Sequence, residues 1–247
     1  MRRNGVSMDI RELRTEHIEF SGEIMDRVLR SAILNSNVID VIQDNKRPFD
    51  ELMSKYRCAI MEIETKFKVL NEQYSLQYDR NPIETIKTRL KSMESISRKL
   101  AQKGKSFSAK SMEKNLDDIA GVRVICSFQE DIYTLAKCLL DQDDIELLET
   151  KDYIKNPKKN GYKSLHLIVK VPIYSAEGEQ KELVEIQLRT IAMDYWSVLE
   201  YELYYKKRDN AEIEAELKKY AEEIANLDYR MLKLRNKIEK IVYKETN

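Results

Sequence analysis

Apolar residues in the N-terminal third of the chain recur at steps of three and four, the spacing of one face of an α-helix. One such run extends from Phe49 to Tyr74, and Pro48 stands where this helix is predicted to begin. A second helix is predicted from Asn81-Pro-Ile-Glu84, with Asn as the N-cap and Pro as the first helical residue. Gly104 would end it. Its apolar side would consist of Ile86, Leu90, Met93, Ile96 and Leu100.

The middle of the chain is typical of β-strands. Residues 119–128 are rich in β-branched residues and predict a buried strand, and residues 130–140 then predict a helix. A short strand is predicted over Ile145–Glu149. Ser164–Pro172 and Glu182–Arg189 would be two further strands, joined as a hairpin. A mixed β-sheet between helical flanks, an α+β fold, follows from this order.

The segment after residue 206 has the most regular pattern, with apolar residues at alternating steps of four and three, the a/d seam of a coiled coil. The seam consists of Ile213, Leu217, Tyr220, Ile224, Leu227, Met231, Leu234, Ile238 and Ile241. It would pack either on the N-terminal helices of the same chain or on another subunit. The sequence leaves both arrangements open.

Composition excludes several classes of protein. The 247 residues include 43 basic and 43 acidic side chains, which argues against a dedicated non-specific nucleic-acid binder. No apolar run approaches the ~20 residues of a membrane span, and no signal-peptide core is evident, so we expect a soluble, cytoplasmic protein. Three separated cysteines and two histidines argue against structural zinc. Neither GxGxxG nor a P-loop is present, so side chains would have to hold any phosphates.

Polar residues occupy alternate positions of two predicted strands. They are Glu185, Gln187 and Arg189 on one strand, and Tyr162, Ser164 and His166 leading into and on the other. Because side chains alternate between the faces of a sheet, each set lies on one face, and neighbouring strands would place all six together. A solvated sheet face is the alternative interpretation, but such a face more often carries Lys, Glu and Thr.

Charged residues around the first strand support a polar pocket. Asp117 and Asp118 directly precede the strand, and carboxylates at a strand end commonly hold Mg²⁺. Arg123 interrupts the apolar run, so it needs a partner, either in an ion pair or in a ligand. Further cations occur at Arg89, Lys91 and Lys99 and in the turn-forming stretch 151–161. Together these residues indicate nucleotidyl or phosphoryl transfer without a P-loop.

Four stretches carry a resemblance to a known family. Asp118-Ile-Ala-Gly-Val-Arg123, Asn160-Gly-Tyr-Lys-Ser-Leu-His166 and Glu185-Ile-Gln-Leu-Arg-Thr190 resemble the synthetase domain of the RelA/SpoT family, and Arg89–Lys99 resembles its ATP-side segment. The chain looks like a small alarmone synthetase of that family. The resemblance implies a nucleotidyltransferase-like sheet in a synthetase core at 81–206, after a helical region at 1–80 and before a C-terminal oligomerisation helix at 207–247.

The resemblance implies transfer of pyrophosphate from ATP to the 3′-hydroxyl of GTP or GDP, giving (p)ppGpp and AMP in the stringent response. Asp118 and Glu185 would be catalytic and would bind Mg²⁺, with Glu185 as the candidate base. The residues implied for ATP are Arg89, Lys91, Ser95, Lys99 and Arg123, the two arginines enclosing the adenine. The residues implied for the acceptor are Lys158, Asn160, Tyr162, Lys163, His166, Gln187 and Asp194, with Tyr162 stacked on guanine.

Two other functions stay open at this point. A pyrophosphokinase of the same fold would act on a different acceptor, such as ATP or a tRNA end. A nucleotide- or RNA-binding interaction module would bind without turnover. Family analogy and the C-terminal seam favour a homotetramer; no membrane or DNA partner is expected, and RNA binding is not indicated.

Overall fold

The computed structural model describes residues 36–78, 80–176, 178–205 and 211–246. Its elements in chain order are α1 (Ser36–Tyr78), β1 (Ile83–Leu90), α2 (Met93–Gln102), α3 (Ala109–Asn115), β2 (Ala120–Cys126), α4 (Gln129–Leu140), β3 (Glu146–Asp152), β4 (Leu165–Ser175), β5 (Gly178–Thr190), α5 (Ile191–Tyr205) and α6 (Ala211–Thr246). None of the helices in these ranges is long and apolar enough to cross a membrane. The predicted α+β fold is confirmed.

The five strands form one mixed sheet in the order β1-β2-β5-β4-β3. β2 and β5 are parallel, while the other neighbouring pairs are antiparallel. β4 and β5 form the predicted hairpin, which extends to Ser175 and Gly178. β5 is therefore the central strand, flanked on both sides by strands that carried the sequence motifs.

One face of the sheet is covered by α1 and α4. Tyr56, Ile63 and Phe67 of α1 are almost completely buried, in one cluster with the inward side chains of β2, β4 and β5. α4 contributes Ile132, Leu135 and Leu139 to the same cluster. Burial of each large apolar side chain contributes roughly 1.5–3 kcal/mol. The opposite face of the sheet carries the polar residues.

The predicted helix over 81–104 is wrong in its first half. Residues 83–90 form strand β1, which pairs with β2 from Ile83↔Cys126 to Leu90↔Ala120. Only the second half is helical, and its N-cap is Ser92, whose hydroxyl accepts from the backbone N–H of Ser95. Strand pairing with β2 supplies hydrogen bonds that a sequence pattern cannot reveal, and this tertiary contact outweighs local helix signals.

The beginning of α1 also differs from the prediction. Pro48 lies inside the helix instead of at its start, because α1 already begins at Ser36. Pro48 is exposed, so water can satisfy the carbonyl group that its missing N–H leaves without a donor. The part of the predicted helical region before Ser36, and the predicted boundary at 206/207, lie outside the described residues.

The C-terminal helix is confirmed as α6, and its first part packs on α5. Leu217 and Ala221 are buried against Trp196 of α5, whose indole N–H donates to the Leu217 carbonyl oxygen at 3.0 Å. The remaining seam is largely uncovered. Exposed seam residues are Tyr220, Leu227, Met231, Leu234, Ile238 and Ile241. Packing within the chain therefore covers only the first part of the predicted seam.

Candidate active site

The polar face of the sheet aligns side chains from four strands. In the strand register, Lys87 pairs with Arg123, Arg123 with Gln187, and Gln187 with His166. Glu185 is two residues before Gln187 on β5, so its side chain is on the same face. Cross-strand partners have neighbouring Cβ atoms, which brings residues from distant parts of the sequence into contact.

Glu185 lies at the centre of a hydrogen-bond network. Its Oε1 is 3.2 Å from His166 Nδ1, and its Oε2 accepts from Gln187 Nε2 at 2.8 Å. The other ring nitrogen of His166 is 2.7 Å from the Tyr162 hydroxyl. Burial alone would raise the pKa of Glu185, but the contacts with His166 and Gln187 hold that pKa below its usual value. The carboxyl group is therefore ionised and able to accept a proton.

Asp118 forms a second centre, with two lysines. Lys91 Nζ and Lys99 Nζ donate to Asp118 Oδ2 at 2.5 and 2.6 Å. Burial would raise the pKa of Asp118, but the two lysines keep it below its usual value. The other oxygen, Oδ1, is buried without a hydrogen-bond partner in the described part of the chain. Asp118 contributes to the electrostatic field at Glu185, so the two centres are neighbours.

A third centre surrounds Asp194 in the first turn of α5. Its carboxylate accepts from Lys87 at 2.8 Å and from both Arg123 and Arg189 at 3.3 Å. Burial would raise the pKa of Asp194, but these cations hold it below its usual value. Asp194 is therefore fixed among three positive charges and itself fixes the position of Arg123.

The segment before β4 forms a tight turn over the same face. The backbone N–H of Gly161 donates to the Lys158 carbonyl oxygen, and Asn160 Oδ1 accepts from the backbone N–H of Tyr162. Gly161 has a φ of 92° and packs so closely on α6 that a Cβ would lie 2.6 Å from the Ala221 Cβ. Lys158 Nζ lies 4.7 Å from the ring centroid of Tyr153 and 4.8 Å from that of Tyr162.

The remaining predicted residues differ in their placement. Arg89 is exposed on β1, close enough to Arg123 for the two charges to interact. Ser95 lies in the first turn of α2, between Lys91 and Lys99. Lys163 does not join the cluster. It lines a small cavity with Asp228 of α6, because the residue after Tyr162 points to the opposite side of an extended chain.

Sequence reasoning missed three residues of the site. Lys87 was hidden by the helix prediction, because Ile83, Ile86 and Leu90 have helical spacing, and only the β-branched residues of this segment favour a strand. Arg189 is on the polar side of β5, as the sequence predicts, but no sequence motif assigns it a role. Tyr153 makes edge contacts with the rings of Tyr162 and His166 at 5.9 and 5.2 Å, and no sequence signal indicated them.

Comparison with known proteins places this arrangement in a family. A model described as "Region found in RelA / SpoT proteins" matches residues 88–210. The GTP pyrophosphokinase YwaC of Bacillus subtilis (strain 168) is 42% identical over 186 residues, which cover 74% of this chain and 89% of YwaC. This chain belongs to the RelA/SpoT family. The resemblance seen in the four sequence motifs is thereby confirmed.

Solved structures place the chain within the RelA/SpoT family. The small alarmone synthetase 2 of Bacillus subtilis is similar with a TM-score of 0.70 and 39% identity, covering 76% of this chain and 98% of that one. The small alarmone synthetase 1 of the same organism, bound to its product pppGpp, has a TM-score of 0.70 and 33% identity, with coverages of 77% and 97%. The chain is therefore similar to these two small alarmone synthetases over about three quarters of its length.

Proposed function

We propose that this protein is a GTP pyrophosphokinase that makes (p)ppGpp in the stringent response by transferring pyrophosphate from ATP to the 3′-hydroxyl of GTP or GDP. The observation that carries the proposal is the convergence of the family motifs around Glu185. Pyrophosphoryl transfer needs a base for the acceptor hydroxyl group and cations for the phosphate charge. The ionised carboxylate, which is fixed by two donors, and the nearby lysines and arginines supply these two functions.

ATP is proposed to bind along β1, α2 and β2. Lys91 and Lys99 would pair with its phosphates, and both already lie against Asp118 at the rim of the polar face. Ser95 adds a hydroxyl group between them. Arg89 and Arg123 would enclose the adenine, because a planar guanidinium stacks on a base in a way that lysine cannot imitate.

The acceptor nucleotide is proposed to bind beside the Tyr162 turn. Guanine would stack on Tyr162, and Lys158 leaves the ring at small cost because its four-carbon stem is flexible. Asn160, His166 and Gln187 would contact the nucleotide. Asp194 would have to give up one of its cations to meet the base, and Lys163 takes no part unless the turn rearranges.

Mg²⁺ is proposed to bind at Asp118 and Glu185. The buried, unpartnered Asp118 Oδ1 offers one ligand oxygen. In the described ranges no group of three or more His, Cys, Asp or Glu side chains could hold a metal ion. Two carboxylates still fit Mg²⁺, which keeps several waters and is completed by substrate phosphates. When bound, the ion would neutralise negative charge on the transferred group.

In the proposed reaction Glu185 accepts the proton of the acceptor 3′-hydroxyl. The oxygen then forms a bond to the β-phosphorus of ATP, and the bond between this phosphorus and the α–β bridging oxygen breaks. The electron pair leaves with AMP. Lys91 and Lys99 stabilise charge on the phosphoryl oxygens, an effect that is strong where water is excluded.

The uncovered part of α6 supports a homo-oligomer, and we favour the tetramer expected from the sequence. Leu234 and Ile238 are about half exposed, at 50% and 51%, and they continue an apolar stripe of the kind that marks protein interfaces. We also propose a cytoplasmic location, where ATP and guanine nucleotides, the proposed substrates, are available.

The function is tested by incubating the purified protein with ATP, Mg²⁺ and either GTP or GDP, followed by anion-exchange chromatography. The expected result is a more highly phosphorylated guanine nucleotide with an equal amount of AMP, and loss of both on addition of EDTA. AMP without a new guanine nucleotide would indicate another acceptor. No AMP under any condition would contradict the proposal and favour a binding module.

The oligomer is tested by light scattering on the Leu234→Glu variant, with Leu76→Glu as the control because Leu76 is an exposed residue of α1. The expected result is a mass below that of the wild type for Leu234→Glu only. An unchanged mass would contradict an interface on this part of α6.

A further inference from the structure

Arg189 lies at the end of β5, is 4% exposed and has no direct part in the proposed reaction. A guanidinium has five N–H donors and no acceptor, so it can only donate. Its Nη2 lies 2.6 Å from the Tyr162 hydroxyl and 2.9 Å from Gln187 Oε1, while Nη1 lies 3.3 Å from Asp194 Oδ1. The two hydrogens of Nη2 thus match two acceptors.

The first arm of this arrangement runs through Tyr162 to His166. Since the Tyr162 oxygen accepts from Arg189, its own hydrogen is available for His166 Nε2, which is 2.7 Å away. A ring nitrogen that accepts carries no hydrogen, so the neutral imidazole has its hydrogen on Nδ1. His166 Nδ1 then donates to Glu185 Oε1 at 3.2 Å.

The second arm runs through Gln187. Its Oε1 accepts from Arg189, which leaves the amide nitrogen to donate to Glu185 Oε2 at 2.8 Å. Rotating the amide by 180° would place its N–H groups against the Arg189 N–H groups and its oxygen against the carboxylate. Both contacts would be repulsive, so Arg189 and Glu185 together fix the amide orientation.

We infer that Arg189 is a positioning residue, which holds the Tyr162 hydroxyl group and the Gln187 amide from one side while the ionised Glu185 accepts from the other, so that each oxygen of Glu185 keeps a donor. The inference rests on the proposed role of Glu185 in pyrophosphoryl transfer. A carboxylate held at both oxygens cannot rotate, and this keeps it aligned with the acceptor hydroxyl. Asp194 in turn holds Arg189, at 3.3 Å, and is itself held by Lys87.

The position of the hydrogen on His166 tests the first arm without any substrate. The chain has two histidines, so a His17→Gln background labelled with ¹⁵N-histidine gives the NMR signals of one imidazole. The expected spectrum has a hydrogen on Nδ1 and none on Nε2. In Arg189→Met we expect the hydrogen to stay on Nδ1, because the ionised Glu185 can only accept. The Nε2 signal should move toward that of a nitrogen without a hydrogen bond, because the Tyr162 hydroxyl group loses the donor that holds it against His166.

Arg80→Met is the matched control, since Arg80 also pairs with a buried carboxylate, Asp131, but outside the site. Its His166 signals are expected to equal those of the wild type. Tyr162→Phe covers the case in which Arg189→Met does not fold, because it removes only the linking hydroxyl. A hydrogen on Nε2 in the wild type, or unchanged His166 signals in whichever of the two variants folds, would overturn the inference.

Kinetics test the effect on Glu185. We expect Arg189→Met to lower kcat by about 10- to 100-fold with a change in KM for ATP below about threefold, the pattern of a misaligned reacting group. Arg189→Lys should have a kcat close to that of Arg189→Met, because one ammonium group cannot reproduce the planar set of N–H donors of the guanidinium. A raised KM for ATP with a normal kcat in Arg189→Met would contradict the role of Arg189 as a positioning residue.

The inference and the proposed function fail in different ways. A wild-type protein with the expected His166 signals but no AMP formation would refute the synthetase and leave the hydrogen-bond directions intact. A wild-type protein that makes (p)ppGpp but carries the His166 hydrogen on Nε2 would refute the inference alone.

Discussion

The two faces of the sheet are built from the same strands but differ in what their residues do. On β5, Val184, Ile186 and Leu188 are completely buried beneath α1 and α4. The residues between them, Glu185 and Gln187, belong to the hydrogen-bond network of the opposite face. Substitutions at neighbouring positions of β5 should therefore affect different properties, either the stability of the fold or the rate of the reaction. Experiments can separate the two faces in this way.

The largest effect is expected from Glu185→Gln on the polar face. Gln is nearly isosteric but cannot accept the proton, so kcat should fall by about 1,000-fold. The protein should still fold, with a melting temperature somewhat below that of the wild type, because the carboxylate with a lowered pKa is lost. Product analysis by anion-exchange chromatography and a thermal melt measure the two quantities. Glu179→Gln, an exposed position on the same strand, is the control. Near-normal turnover of Glu185→Gln would remove Glu185 as the base.

The opposite result is expected from Phe67→Ala on the apolar face. The side chain is completely buried, and its removal should lower the free energy of unfolding by about 3–5 kcal/mol through lost transfer energy and a cavity. Urea denaturation measures the change, and KM for both nucleotides should stay within about twofold in the folded fraction. A raised KM without loss of stability would show that the two faces are coupled.

Gly161 tests how the polar face is joined to α6. Gly161→Ala should reduce kcat/KM for GTP by about 10-fold or more, because the residue has a φ of 92° and the new Cβ would meet Ala221. Gly104→Ala is the control, since it also has a positive φ but no atom within 4 Å of the added Cβ. Equal loss of activity in both variants would indicate backbone strain alone.

Arg123→Lys should give a smaller effect, confined to one substrate. The variant keeps the charge but loses the planar group proposed to stack on adenine, so KM for ATP should rise about 10-fold and KM for GTP little. Steady-state kinetics with each nucleotide varied in turn measures this. Arg98→Lys, on the exposed side of α2, is the control. An equal rise for both nucleotides would contradict separate sites.

The smallest effect is a pH dependence away from the catalytic residues. Burial would raise the pKa of Asp152, but the backbone N–H of Lys155 and the Tyr133 hydroxyl, with other donors, hold it below its usual value. Its contribution to stability is therefore present above the unfolded pKa, about 3.9, and is lost as pH falls through the lower folded value. Asp152→Asn should have a lower melting temperature than the wild type at pH 7, and its melting temperature should fall less than that of the wild type on acidification.

Melting curves between pH 7 and pH 2 measure this dependence. Asp143→Asn, an exposed aspartate just before β3, should follow the wild type at every pH. A constant difference between Asp152→Asn and the wild type over the whole range would show that the carboxyl group gains no stability from ionisation.

Much of the fold could be predicted from the sequence, because the spacing of apolar residues in several segments matches a strand or a helix. These segments are β2, α4, β4, β5 and α6. Strand β1 was not, since its segment Ile83–Leu90 carries a plausible helix start and gains its strand conformation only by pairing with β2. Asp118 and Glu185 were singled out from residue types at strand positions, their roles were implied by the family resemblance, and the structure brings their two centres together. The cluster that joins Asp194 to Lys87 was missed, because it depends on which strands become neighbours.

Because β2 pairs with β5, the centre of the sheet can form only after β5 has been synthesised. These strands are separated in sequence by α4, β3 and β4, so their contact closes a long loop and carries a corresponding entropic cost. β5 is the last strand to be synthesised, yet it lies in the middle of the sheet. Partly synthesised or partly unfolded chains therefore lack the assembled polar face, and nucleotides that bind there stabilise only the fully folded protein.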